Sequence, residues 1–112
     1  MASSVATNRY IDIATGTEAI NTTIAPGRAF ALESVSVHLN GAGGAGNLTV
    51  TVDAAAGAAY DVVLKTIDMT SITDWVWQPE RPIELASGDK VVIAWANAGT
   101  KTYGLTVRWS GR

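Results

Sequence analysis

The most constraining feature of this chain is the alternation of large apolar with small or polar side chains near its C-terminal end. The apolar members are Tyr103, Leu105, Val107 and Trp109. In an extended strand, a period of two places such residues on one face and their neighbours on the other. The stretch 48–52 has the same pattern. Strands with one apolar face bury it against a second sheet, so the pattern predicts an all-β sandwich.

Turn signals divide the chain into short segments of this kind. We expect strands at 10–13, 20–24, 28–39, 48–52, 60–67, 74–78, 83–85, 90–95 and 103–109. Eight or nine strands with regular turn spacing predict a single-domain, antiparallel, jelly-roll-like β-sandwich without helices. A chain of 112 residues has room for one such domain. Residues 1–9 lack periodicity, so we expect a flexible arm there, followed by the sandwich domain at 10–112.

The segment 28–39 changes phase along its length. Its apolar residues lie first at even and then at odd positions, namely Phe30, Leu32, Val35, Val37 and Leu39. A β-bulge near Glu33 or Ser34 would turn both halves to the same face. Elsewhere, we expect a turn at 14–17 and an exposed, glycine-rich loop at 40–46. Pro79 and Pro82 exclude a central strand between them, which predicts a sheet edge or a crossover.

The composition excludes several classes of protein. No cysteine is present, which removes disulfides, thiolate catalysis and cysteine-based metal sites. A net charge of −2, with eight Lys and Arg spread along the chain, argues against nucleic-acid binding. The sequence has no signal-peptide pattern and no apolar run long enough to span a bilayer, so we expect synthesis in the cytoplasm and no membrane partner.

Charged residues are scarce. They make up 16% of the chain, against about 25% in typical soluble domains. Small neutral residues take their place, which predicts that other protein covers part of the surface. A compositional bias toward alanine in the source organism is the alternative explanation.

The sequence offers little catalytic chemistry. His38, the single histidine, lies in the polar phase of the segment 28–39, and no Gly-x-Ser-x-Gly motif accompanies it. One imidazole cannot form a histidine metal cluster, and the ten carboxylates show no calcium-loop spacing. We therefore expect no enzymatic activity, no catalytic residue, no metal and no cofactor, and we interpret His38 as a surface or interface residue.

Trp75 and Trp77 provide the one specific binding hypothesis. At a spacing of two they point to the same side of a strand, and exposed paired indoles would form a platform for sugar rings or a contact for a protein partner. Core filling, together with Trp95 and Trp109, is the alternative interpretation. Arg81 is close enough in sequence to stack on an indole. The candidate interaction residues are Arg9, Tyr10, His38, Trp75, Trp77 and Arg81.

The segment from Phe30 to Leu64, FALESVSVHLNGAGGAGNLTVTVDAAAGAAYDVVL, resembles small accessory virion proteins of tailed bacteriophages and prophages. The shared features are an LESV…HL strand, a small-residue loop, NLTVTVD and AYDVVL, in that order. ELASGDKVVIAWAN and YGLTVRW further along resemble the same group, so the likeness covers roughly residues 28–109. The resemblance carries over no functional residue.

The resemblance implies a non-enzymatic structural protein of a phage or prophage particle, located in the virion. A capsid decoration (cement) protein would bind and stabilise the shell through its sandwich surface and the arm at 1–9. Its partners would be capsid or other virion proteins and further copies of itself, with a homotrimer as the first expectation because shells offer local three-fold symmetry. A tail fibre, adaptor or receptor-contacting module is the alternative. A carbohydrate-binding module that uses Trp75 and Trp77 is a second alternative.

Overall fold

The described part of the chain forms nine β-strands, and they confirm the predicted all-β class. The computed structural model describes residues 8–112. The strands are β1 (Arg9–Gly16), β2 (Ile20–Ile24), β3 (Phe30–Leu39), β4 (Asn47–Asp53), β5 (Val62–Asp68), β6 (Asp74–Trp77), β7 (Ile83–Leu85), β8 (Lys90–Trp95) and β9 (Tyr103–Gly111). Within residues 8–112, the only helical element is a single 3-10 turn at Ala58–Tyr60. Residues 1–7, most of the predicted arm, lie outside the described part of the chain.

The strands form two antiparallel sheets with jelly-roll strand order. Sheet A has the order β1-β9-β3-β6, with β7 also on β3. Sheet B has the order β2-β8-β4-β5. Strands β6 and β7 pair with different parts of β3, and Pro79 and Pro82 lie in the break between them. The two prolines therefore interrupt one sheet edge, as predicted, because proline cannot donate to a ladder.

The core lies between the sheets and contains the apolar members of the alternating pattern. The buried large side chains include Ile20, Phe30, Leu32, Val35, Leu39, Leu48, Val50, Val91, Ile93, Trp95, Leu105 and Val107. Each comes from a strand, and inward positions within a strand lie two residues apart, except between Leu32 and Val35 of β3. Burying this apolar area is the main source of stability for a domain without disulfides.

The predicted bulge is present in β3. The pairing of β3 with β9 shifts between Leu32 and Ser34, which leaves Glu33 as the extra residue. Because of that extra residue, Leu32 and Val35 both point inward, and both are fully buried. A bulge also bends the strand and increases its twist. One extra residue thus lets the even-numbered apolar residues before it and the odd-numbered ones after it face the same core.

Several strand boundaries differ from the sequence prediction by one to three residues, and Arg9, counted in the predicted arm, begins β1. Two of the differences have a clear structural cause. Strand β1 continues to Gly16, through the turn expected at 14–17, because Gly16 still pairs with Tyr103. Strand β5 starts at Val62, and Tyr60 is 65% exposed in the 3-10 turn before it. The prediction that Tyr60 continues the strand is wrong, since Gly57 adopts a φ of 126° and turns the chain first.

The glycine-rich loop is packed more closely than predicted. Gly43 is buried, and its N–H donates to the carbonyl of Ile72 at 2.9 Å. A Cβ built on Gly43 would lie 2.6 Å from the carbonyl oxygen of Met69. Because its residues are small, the loop 40–46 lies directly on the loop between β5 and β6. The prediction of an exposed loop is therefore wrong at Gly43, which is in the contact between the two loops.

Gly43→Ala is expected to destabilise the protein by about 1–3 kcal/mol, because the added methyl overlaps a backbone carbonyl that cannot move alone. Gly41→Ala is the matched control, since the nearest atom to its Cβ is the flexible Lys101 Nζ at 3.6 Å. Chemical denaturation of both variants measures the difference. Equal unfolding midpoints would show that the two loops separate without cost.

Asp89 connects two turns at one end of the sandwich. Its two carboxylate oxygens accept hydrogen bonds from the N–H groups of Ala55 and Ala86, each at 2.9 Å. These bonds favour the ionised form, so the pKa of Asp89 is lowered from 3.8, with the Ala55 bond as the largest cause. The stabilisation is therefore present above 3.8 and is lost as the pH falls through the lower folded-state pKa.

Asp89→Asn is expected to lower the melting temperature at neutral pH, because an amide NH₂ would then face a backbone N–H donor. The difference from the unmodified protein should shrink as the pH falls below 3.8 and the native carboxyl takes up a proton. Thermal melts over a pH series test this, with Glu80→Gln, an exposed loop change, as control. A difference that is independent of pH would contradict the linkage.

Candidate interaction surfaces

Sheet A turns an uncharged central row of side chains to solvent. The row crosses the sheet through Ile13, Thr106, Ser36 and Val76. Ile13 is 79% exposed and Val76 is 69% exposed, whereas the residues between them are short. One exposed apolar side chain thus stands at each end of the row, and two short polar side chains lie between them. Exposed apolar side chains that belong to one face are typical of surfaces that contact other molecules.

His38 and Asp74 lie at one end of this face. His38 Nδ1 contacts Asp74 Oδ1, and both side chains are about 70% exposed. The neighbouring Gly104 leaves open space where a Cβ would lie, which forms a hollow between His38, Ile13 and Thr15. Among the described residues, Asp74 is the only hydrogen-bond partner of the His38 side chain. The pair therefore lacks the hydroxyl nucleophile that a serine hydrolase site requires.

The outer face of sheet B is also uncharged at its centre. Its two central rows consist of Asn21, Ala94, Thr49 and Thr66, and of Thr23, Val92, Thr51 and Val63. The first charged pair consists of Asp53 and Lys90, which lie opposite each other where β4 ends and β8 begins. The scarcity of charge seen in the sequence is thus clearest on the outer face of sheet B, whereas on sheet A the central row lies between Arg108 on one side and the His38–Asp74 pair on the other. Such faces lose little solvation free energy when protein covers them.

Trp75 and Trp77 point to the same side of β6, as their spacing predicted, and that side is the interior one. Trp75 pairs with Val37, and Trp77 pairs with Val35, both of which are buried. The two indoles are half-buried and pack against the core at the open edge of sheet A. They therefore do not present a flat, exposed platform, and their larger role is to close the sandwich edge.

Tyr10 belongs to an aromatic cluster at the opposite edge of sheet A. Its ring stacks on Trp109 with centroids 4.4 Å apart, and Trp109 packs edge-on against Phe30 at 5.9 Å. Trp109 also donates from Nε1 to Asp12 Oδ2 at 3.4 Å. Tyr10 thus covers the core beside β1, where half-exposed aromatic rings commonly close a sheet edge.

The six candidate residues do not form one site. Arg9 is the exposed first residue of β1, and Arg81 is exposed in the loop between β6 and β7. Strand β1 and the β6–β7 pair are the two opposite edges of sheet A. His38, on β3, lies on the outer face of the sheet, and Arg9 has the same outward phase in β1 as Ile11 and Ile13. The candidates are therefore spread over two edges and one face.

Sequence reasoning missed the exposed apolar residues Ile11, Ile13 and Val76. In the stretch 10–13 the two phases are Tyr10 with Asp12 and Ile11 with Ile13, so each phase carries apolar side chains. Hydrophobicity alone would place the isoleucines inside. The signal lay in the partner strand, far along the chain, because Ile13 pairs with Thr106, which belongs to the polar phase of β9.

Comparison with models of known families finds no family that matches the chain, and comparison with curated protein sequences finds no similar protein. The strand order of the two sheets defines its structural class, which is an antiparallel jelly-roll β-sandwich. Within residues 8–112, no three His, Cys, Asp or Glu side chains are close enough to hold a metal ion. The same residues contain no helix with the length and apolar character needed to cross a membrane.

Proposed function

We propose that this protein is a non-enzymatic structural component of a phage or prophage particle. Its most suitable role is that of a capsid decoration (cement) protein, which binds the assembled shell and stabilises it. Its partners are then the capsid protein and neighbouring copies of the chain. The resemblance of residues 28–109 to accessory virion proteins is the starting point, and the outer surface of the sandwich supplies the physical argument.

The observation that carries the proposal is the uncharged centre of both broad faces. On sheet B, the two central rows hold eight side chains without a charge. On sheet A, the central row also lacks a charge, and its two end members, Ile13 and Val76, are exposed apolar side chains. A protein that lies flat on a shell or against its neighbours benefits from such faces, because no buried charge has to be paired.

The fold itself supports two classes of protein, since jelly rolls occur both in viral capsids and in lectins. Fold alone does not decide between them. The half-buried, inward position of Trp75 and Trp77 weighs against a sugar platform formed by these indoles. We therefore favour the particle role over the carbohydrate-binding alternative.

Purified particles from the source organism provide the test. We expect mass spectrometry to find the chain in many copies per particle. Deleting its gene should leave particles that assemble but release their DNA at a lower temperature. Particles that keep their heat stability but lose adsorption to host cells would instead support a tail-fibre or receptor-contacting role. Absence of the chain from purified particles would overturn both.

Variants of the two faces test which surface contacts the shell. Thr51→Glu places a carboxylate in the central row of sheet B, and Thr106→Glu does so on sheet A. At least one of these variants should bind particles that lack the chain more weakly than the unmodified protein does. Glu80→Gln is the control. If both variants bind normally, the uncharged faces are not the binding surfaces. A truncation of residues 2–7 tests the arm in the same assay.

A further inference from the structure

The fold leaves four open sheet edges in the described part of the chain, namely β1 and the β6–β7 pair in sheet A and β2 and β5 in sheet B. An open edge presents unpaired N–H and C=O groups to any extended chain nearby, and proteins block such edges in recognisable ways. Pro79 and Pro82 break the β6–β7 edge. A bulge at Leu64 distorts β5, and β2 has only five residues.

Strand β1 lacks each of these devices. All eight of its residues, Arg9–Gly16, pair with β9 in unbroken register. It contains no proline, and Ile11 and Ile13 are 50% and 79% exposed on its outer face. Its one inward-facing charge is Asp12, which already accepts a hydrogen bond from Trp109. A long, regular edge with apolar side chains is well suited to strand addition.

We propose that β1 is the surface through which two copies of this chain associate. The two β1 strands pair antiparallel across a two-fold axis, so that both A sheets join into one continuous sheet. A two-fold contact uses the same strand twice and leaves no unpaired β1 edge, which limits the assembly to a closed dimer. This deepens the proposed function by naming the surface for self-association, and it puts a two-fold contact in place of the trimer expected from the sequence.

The side chains of β1 select the register. A two-fold axis at Asp12 would place two carboxylates directly opposite each other, which is unfavourable. An axis at Ile13 places Ile13 against the partner's Ile13 and Asp12 against the partner's Ala14. The cross-strand contacts at the centre of the ladder are then apolar on the outer face, and the carboxylates are separated.

The ends of the ladder are compatible with the same register. Pairing about Ile13 brings Arg9 opposite the partner's Thr17, and the symmetry repeats this contact at the other end. Within residues 8–112, Arg9 has no ion-pair partner of its own. Glu18 of each copy lies beyond β1, and its carboxylate accepts a hydrogen bond from the buried Tyr103 at 3.0 Å on the inner side of the sheet. Like charges therefore do not meet at either end of the ladder.

The size of the contact sets the expected strength. A strand of eight residues is about 27 Å long at ~3.4 Å per residue, and a single-strand contact buries less than the ~1,600 Å² of a standard interface. We therefore expect a reversible dimer whose fraction rises with concentration across the micromolar range. The resulting pair still presents both uncharged B faces outward.

Sedimentation velocity at a series of concentrations tests the proposal with two charged variants. Ile13→Lys places two ammonium groups opposite each other at the axis, and it should raise the dimer dissociation constant at least about tenfold. Val76→Lys is the matched control, because Val76 lies on the same outer face at the opposite edge. It should dimerise like the unmodified protein. Both positions are exposed, so unchanged melting temperatures are expected.

Amide hydrogen exchange identifies the strand that pairs. The alternate β1 amides that point away from β9 should become protected as the concentration rises. If both variants are monomeric, the copies stack through their faces and the proposal fails. A strictly monomeric protein, a trimer, or β1 amides that are protected even in the monomer (an edge covered by residues 1–7) would each overturn it. The particle assay measures heat stability and adsorption, and the present experiments measure dimer formation. A failure of the proposed function can therefore be distinguished from a failure of the dimer proposal.

Discussion

Leu105→Ala is expected to lower the free energy of unfolding by about 2–5 kcal/mol, the range for removing a large aliphatic side chain from a well-packed core. Leu105 is 1% exposed in the middle of β9. It lies between Ala14 of β1 and Val37 of β3, and it points toward sheet B. Truncation therefore leaves a cavity that neither sheet can close without moving a whole strand. Urea denaturation measures the loss.

Val76→Ala provides the control for Leu105→Ala. Val76 is 69% exposed on β6, so its truncation should change stability by less than about 0.5 kcal/mol. A loss below about 1 kcal/mol at Leu105, well under the range for a core leucine, would mean that the inward and outward faces of β9 are assigned the wrong way round.

Asn97→Ala is expected to cost about 2–4 kcal/mol, because several buried polar groups lose their partners at once. Asn97 is 2% exposed between β8 and β9. The two hydrogens of its Nδ2 are donated to the carbonyls of Glu18 and Lys101 at 2.9 Å each, and the carbonyl of Thr17 at 3.2 Å shares one of them. Its Oδ1 accepts from the N–H of Lys101 at 2.9 Å. One side chain thus fastens the β1–β2 loop to the β8–β9 loop.

Two further variants separate the causes of this loss. Asn97 has a φ of 51°, where alanine is strained, so Asn97→Gly keeps the backbone favourable and removes only the side-chain bonds. Thr100 has the same φ of 51° but is exposed. Thr100→Ala should therefore have a small effect. If Asn97→Gly restores full stability, the side-chain hydrogen bonds contribute nothing, contrary to our expectation.

Much of the fold could be predicted because periodicity is a local property. The alternation in β9 and β4 and the phase change in β3 depend only on which neighbours are apolar, and the structure confirms all three, including the extra residue Glu33. The break at Pro79 and Pro82 was equally predictable, since it follows from the missing N–H of proline. In each case, the sequence signal and the structural cause are the same residues.

The surfaces could not be predicted in the same way, because they depend on which strands become neighbours. Spacing shows that Trp75 and Trp77 share a face, but only pairing with β3 shows that this face is interior. The buried position of Asn97 depends on carbonyl groups that lie about 80 residues away in the sequence. The exposure of Ile13 is fixed by its pairing with Thr106. Long-range contacts of this kind leave no local pattern.

The pairing of β1 with β9 has a consequence for biosynthesis. Within sheet A, the first strand to leave the ribosome has β9 as its only neighbour, and Gly16 must wait for Tyr103. At about 5–20 residues per second, translation of the intervening chain takes on the order of ten seconds. During that interval the nascent chain holds an isoleucine-bearing strand without a partner. Completion of the domain must therefore follow the emergence of β9 from the exit tunnel, and slow translation would prolong exposure to chaperones.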